Sequence, residues 1–118
     1  MSQNFKSGDF LIFQIESGFG LLKLIGLTEG AEGPIWHLRA FNELFLDVDS
    51  AEQALSEPKT LTVSLPHVAL TNRAYLATQV AIMKSSDLTE DEILTVEEWR
   101  ASGDSPTDSP VRLLLGLR

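Results

Sequence analysis

The sequence predicts a small mainly-β or α+β domain: a strongly bent sheet or small barrel with one or two short helices. Three observations predict it. Two apolar runs, Phe10 to Ile15 and Leu21 to Leu27, flank a Ser17-Gly18 turn, and Gly20 and Gly26 interrupt the second run. A glycine inside a strand marks a bulge or a close approach, because it has no side chain to pack. Leu61, Val63 and Leu65 alternate with polar residues, the period of a half-buried strand. Helix-start signals gather late in the chain, where Thr89 with Glu92 and Thr95 with Glu98 both have capping-box spacing. The 118 residues suit one domain spanning 1–118, long enough to close a single core.

Taken in order, the first strand covers 9–16 and is apolar on both alternating faces, so both faces of its sheet must be covered. Gly18 suits the left-handed position of the turn. The second strand, 19–28, runs into Glu29-Gly30-Ala31-Glu32-Gly33-Pro34, a loop by composition. Residues 35–41 alternate, with Trp36, Leu38 and Ala40 on one side and Ile35, His37, Arg39 and Phe41 on the other. Residues 42–49 read either as more strand or as an irregular crossing. Asp49 or Ser50 can cap a short helix over Ala51–Glu57 that Pro58 stops. Pro66 ends the 61–65 strand or places it at a sheet edge, and Val68 to Leu70 continue the extended chain. Thr71 or Asn72 opens a short turn or helical segment through Leu76. Residues 77–84 read as another strand. Helix is expected within 90–102, in one or two pieces, with Gly103 at the left-handed cap. Five of the last eight residues are Val or Leu, which predicts a closing strand over 111–118.

Composition narrows the function. The formal net charge is −8, and nine Lys and Arg are scattered singly. Nucleic-acid binding and attachment to an anionic membrane need clustered basic charge, so neither is expected. No run approaches the ~18 apolar residues of a membrane-spanning helix, and no signal-peptide pattern is expected at the start. The chain has no cysteine, which leaves no disulfide, thiolate metal site or cysteine nucleophile and fits a cytoplasmic location. Acid is concentrated in 41–57 and 87–98, segments that hold no base. Such segments either keep the chain soluble or steer a basic partner.

The chemical motifs are sparse. Asp47-x-Asp49 opens like a calcium loop, but Glu52 stands where glycine is required and Pro58 where a bidentate glutamate is required. Nucleophile-elbow, phosphate-loop and dinucleotide patterns fail. His37 and His67 would need a carboxylate beside them to form a catalytic or metal site, so no catalytic residue, metal or cofactor is assigned. Asp87, Glu90, Asp91, Glu92, Glu97 and Glu98 are the candidate contacts for a basic partner. Arg73 and Tyr75, expected to be exposed near one another, join them, since such residues dominate interface hot spots. Trp36, His37, Arg39 and His67 are the candidate lining of a pocket near 29–41. Trp36 and Trp99 read mainly as core anchors, with Trp99 fastening the late helix.

The run Lys6-Ser7-Gly8-Asp9-Phe10-Leu11-Ile12, followed by Gly20-Leu21-Leu22-Lys23-Leu24-Ile25-Gly26, resembles the first hairpin of SH3-like barrels. It is most similar to immunity proteins of bacterial polymorphic toxin systems. The resemblance covers about twenty residues and implies an SH3-like barrel that works by binding a protein, with no catalytic residues to carry over. Two functions follow as expectations. One is a non-enzymatic interaction module of the bacterial cytoplasm that meets a basic protein through its acidic segments. The other is a small-molecule-binding barrel, or an enzyme of unfamiliar type, with a pocket near 29–41. Self-association through 111–118 is a further expectation.

Overall fold

The early glycines interrupt the register of the second strand, as a glycine inside a strand predicts. In the computed structural model, which describes residues 4–117, β1 (Asp9–Ile15) and β2 (Gly18–Gly30) form the expected hairpin. Glu16 and Ser17 make its turn, so Gly18 is the first residue of β2 and pairs with Ile15, one position beyond the expected turn. Its φ is +156°, and a Cβ there would lie 2.2 Å from the Phe45 carbonyl oxygen. The pairing of β2 with β3 (Gly33–Phe45) slips its register beside Gly20 and again between Leu24 and Gly26. Each slip adds twist and bends the ribbon.

The remaining elements are α1 (Val48–Ala54), a 3-10 turn (Pro58–Thr60), β4 (Val63–Leu70), α2 (Asn72–Thr78), β5 (Val80–Ser85), α3 (Glu90–Ser102) and α4 (Val111–Leu114). The strands form one antiparallel sheet in the order β4-β3-β2-β1-β5, with β4 and β5 at its edges. The fold is therefore mainly β with short helices. Pro66 lies within β4, where an edge strand tolerates a residue with no N–H to donate. Register also slips there: Leu38 pairs with Val68 and Ala40 with Leu65, so Pro66 and His67 together oppose Arg39.

Both sheet faces are covered. On the first, Leu11, Phe13, Leu22, Leu24, Trp36 and Leu38 pack beneath α2 and α4 through Ala74, Tyr75 and Val111. On the second, Phe10, Ile12, Leu21 and Phe41 pack beneath α1 through Ala51 and Leu55. Asp47 caps α1 by accepting from the Ser50 N–H at 2.7 Å, and Thr71 caps α2 by accepting from the Ala74 N–H at 3.2 Å. Among the described residues, no helix is long and apolar enough to cross a membrane.

The closing strand expected over 111–118 is corrected: residues 111–117 do not form a strand, and residue 118 lies outside the described residues. Val111 and Leu115, four apart, both turn toward the core, and the helical period wins over the β reading of a short apolar run. Arg112 donates to the Gln14 carbonyl oxygen at 2.7 Å, fixing the helix against β1. The late helix is a single 13-residue element, with Thr95 inside it donating its hydroxyl to the Asp91 carbonyl at 2.7 Å. The Thr89–Glu92 capping box and the left-handed Gly103 cap, φ +77°, form as predicted.

Candidate functional site

The second sheet face changes character halfway along. Beneath α1 it is apolar; beneath α3 it is polar and charged. Lys23, His37 and Arg39 point to that side because each alternates with a residue buried on the first face. Their partners come from α3. Lys23 Nζ donates to Glu92 Oε1 at 2.9 Å and to the Asp87 carbonyl oxygen at 3.2 Å. Glu92 Oε1 also accepts the Thr89 N–H at 2.9 Å, and Glu92 Oε2 lies 3.6 Å from an Arg39 nitrogen. One carboxylate thus closes the helix cap and neutralises a buried ammonium. Arg39 donates to Asp91 Oδ2 and to the Pro66 carbonyl oxygen, each at 2.9 Å.

Beside this network lies a histidine pair. His37 is fully buried, and its Nδ1 stands 2.9 Å from His67 Nε2. Its Nε2 is 2.8 Å from Thr28 Oγ1, which receives the Arg100 Nε–H at 3.0 Å. The Trp99 ring meets the His37 ring edge-on at 4.9 Å. Burial lowers the His37 pKa to about 4, helped by His67 and the Arg100 guanidinium. Burial also lowers that of His67, with Arg39 adding to the effect. Both shifts favour the neutral rings, and the 2.9 Å spacing fits a single hydrogen shared between the facing nitrogens. Among the described residues, no group of three or more His, Asp and Glu gathers as a metal centre would require.

The predicted pocket residues do not assemble as expected. His37, Arg39 and His67 come together, but Trp36 faces the opposite side, stacked at 3.8 Å on Tyr75 and donating to Asn72 Oδ1 at 3.0 Å. A cleft of about 320 Å³ does open at the tip of β2 and β3, lined by residues 30–35 with Thr71, Asn72 and Pro106. None of the four candidates lines it. The slip at Pro66-His67 puts His67 beside His37 while Leu65 and Val68 pack on the first face. Sequence reasoning missed this because the pairing depends on register; a proline within a strand run was the available signal.

The predicted partner-binding set divides in two. Asp87, Glu90, Asp91, Glu97 and Glu98 are exposed, as is Arg73, which pairs with Asp108. Glu92 and Tyr75 are corrected. Glu92 is buried by its bond to Lys23, and Tyr75 is 1% exposed, so neither offers a surface to a partner. Tyr75 is the second layer of an aromatic stack, with the Phe5 ring edge-on at 5.4 Å. Trp99 does fasten the late helix, against His37 rather than Trp36.

Asp47, Asp49, Glu52 and Glu57 around α1 are also exposed. Since α1 and α3 cover the same face, both acidic segments lie on one side of the sheet. Between the 3-10 turn and the start of α3 opens a cleft of about 340 Å³, lined by Phe10, Phe41, Lys23, Arg39, Lys59 and Asp87 among others. Comparison with family models, curated proteins and solved structures finds no match to this chain.

Proposed function

We propose that the chain is a non-enzymatic interaction module that receives a basic protein on the face carrying α1 and α3. The observation that carries this reading is the convergence of the two acidic segments: 41–57 and 87–98, thirty residues and two strands apart in the chain, lie on one side of the sheet. Clustered carboxylates raise the encounter rate with a basic partner and exclude acidic ones. Exposed Ile93 and Leu94 on α3 add apolar contact area among the acids. The lack of cysteine fits the reducing cytoplasm. The immunity-type form of this reading rests on the resemblance of the 6–26 hairpin.

The test is a nuclear magnetic resonance titration of the chain with a Lys- and Arg-rich peptide at two salt concentrations. Amides of α1 and α3 should shift, with affinity falling as salt rises. Shifts spread evenly over the molecule, or binding indifferent to salt, would count against the reading.

A second reading, a small-molecule site, is favoured by the cleft at the β2–β3 tip, whose volume of about 320 Å³ reaches the lower end of ligand pockets. Saturable binding of an apolar dye, abolished by Ala31→Trp, would support it. Self-association through 111–118 would use Leu113 and Leu114, the exposed leucines of α4; light scattering on L113S/L114S tests it.

A further inference from the structure

We propose that the His37–His67 pair makes the docking of α3 proton-sensitive: proton uptake by these imidazoles loosens α3 from the sheet and withdraws its acidic surface. The loosening is a property of the fold; its effect on a partner rests on the reading above.

Few buried apolar contacts hold α3. Val96 is its one fully buried apolar residue among those described, seated on Gly26. The other attachments are polar or aromatic: Glu92 to Lys23, Asp91 to Arg39, Arg100 to Thr28 and the Leu27 carbonyl, and Trp99 to His37. An element with few buried apolar contacts opens at lower cost than the strands beneath it. The chain is pinned on both sides of α3, by the Ser86 N–H to the Gly8 carbonyl and by Thr107, whose N–H and carbonyl bond Ala69 and Thr71. Opening is therefore confined to the segment between 87 and 106.

An added proton has no seat between the facing nitrogens: 2.9 Å apart, they share one hydrogen, and a second would set N–H against N–H. At His37 Nε2 it would lie against Thr28 Oγ1, beside the Arg100 guanidinium that donates to the same oxygen. The charged groups facing the pair are Arg39 from β3 and Arg100 from α3, both cations. The α3 carboxylates Asp91 and Glu92 are engaged by Arg39 and Lys23. Release of α3 removes Arg100 and Trp99 and opens His37 to water, where an imidazole recovers its ordinary value near 6.5. Protonation therefore favours the released arrangement as pH falls below that value. With the docked His37 value at about 4, linkage gives a shift of roughly thirtyfold between pH 7.5 and 5 from this ring alone. Ordinary carboxylates are still charged at pH 5.

Hydrogen exchange on the full chain, corrected for intrinsic rates, reads this without a partner. Protection of residues 90–102 should fall roughly thirtyfold from pH 7.5 to 5 relative to amides of β1 and β2, with Trp99 becoming accessible to a soluble quencher. Constant α3 protection over that range, or loss in parallel with the strands, overturns the proposal. The Lys-rich peptide is then titrated at both pH values. Weaker binding at pH 5 with α3 loosened supports the regulatory step, and unchanged binding with α3 loosened overturns it. Peptide binding at pH 7.5 with α3 protection constant leaves the partner reading standing and removes the switch.

Discussion

Gly26 and Val96 face each other where α3 lies on β2: a Cβ at position 26 would lie 2.9 Å from a Val96 methyl carbon. Gly26→Ala must push the helix outward or twist Val96 off its rotamer, and overpacking of this kind costs about 1–3 kcal/mol. The double variant G26A/V96A should recover part of that loss, because the added methyl then fills space vacated by valine. Thermal unfolding of the two singles and the double reads the coupling directly. Additive effects would mean that the two residues do not press on each other.

Glu92→Gln keeps the capping-box geometry, since Gln serves at that position as Glu does, and removes only the charge that Lys23 faces. The side chains of both residues are about 5% exposed, so the ammonium is left buried without a counter-ion. The expected cost is about 3–5 kcal/mol, read as a drop in the urea midpoint. Lys23→Met combined with Glu92→Gln should be less destabilised than Glu92→Gln alone.

Tyr75 fills the aromatic stack, but among the described residues its buried hydroxyl has no hydrogen-bond partner. Burial and the nearby Asp9 carboxylate push its pKa far upward, so the phenol is neutral throughout the working range. Tyr75→Phe should leave stability unchanged or raise it by about 1 kcal/mol, because it removes an unpaired polar group at constant shape. Tyr75→Ala should cost about 3–5 kcal/mol, the price of an emptied aromatic site. Calorimetry on both variants separates packing from polarity.

Replacing Glu90, Glu97 and Glu98 together by Gln removes three exposed charges from α3. Stability should move by no more than about 0.5 kcal/mol per site, while affinity for the Lys-rich peptide falls and its salt dependence flattens. A variant that unfolds early would show that these carboxylates serve the fold instead.

The parts of this structure legible in the sequence are those set by local chemistry. Gly20 and Gly26 announced the register slips of β2, Thr89 with Glu92 announced the start of α3, and Gly103 its end. What stayed hidden depends on which residues meet across strands. Nothing near Lys23 in the chain shows that it meets Glu92 sixty-nine positions later, which takes Glu92 off the acidic surface. His37 and His67 meet only through the slip at Pro66. Tyr75 reads as a surface residue in a polar segment, yet the short turn of α2 delivers it beneath the sheet's aromatic layer. The 111–118 segment reads as a strand because four leucines within five residues satisfy a strand and a helix equally; over the described part, 111–117, docking against β1 decides between them.

The proline in β4 has an effect reaching beyond the single molecule. An outer strand with a full row of free donors invites copies of itself to line up side by side. Here the row is interrupted by a ring that can donate nothing, next to a kink that turns the backbone aside. That margin is therefore a poorer template for strand addition by a second copy than an uninterrupted edge would be.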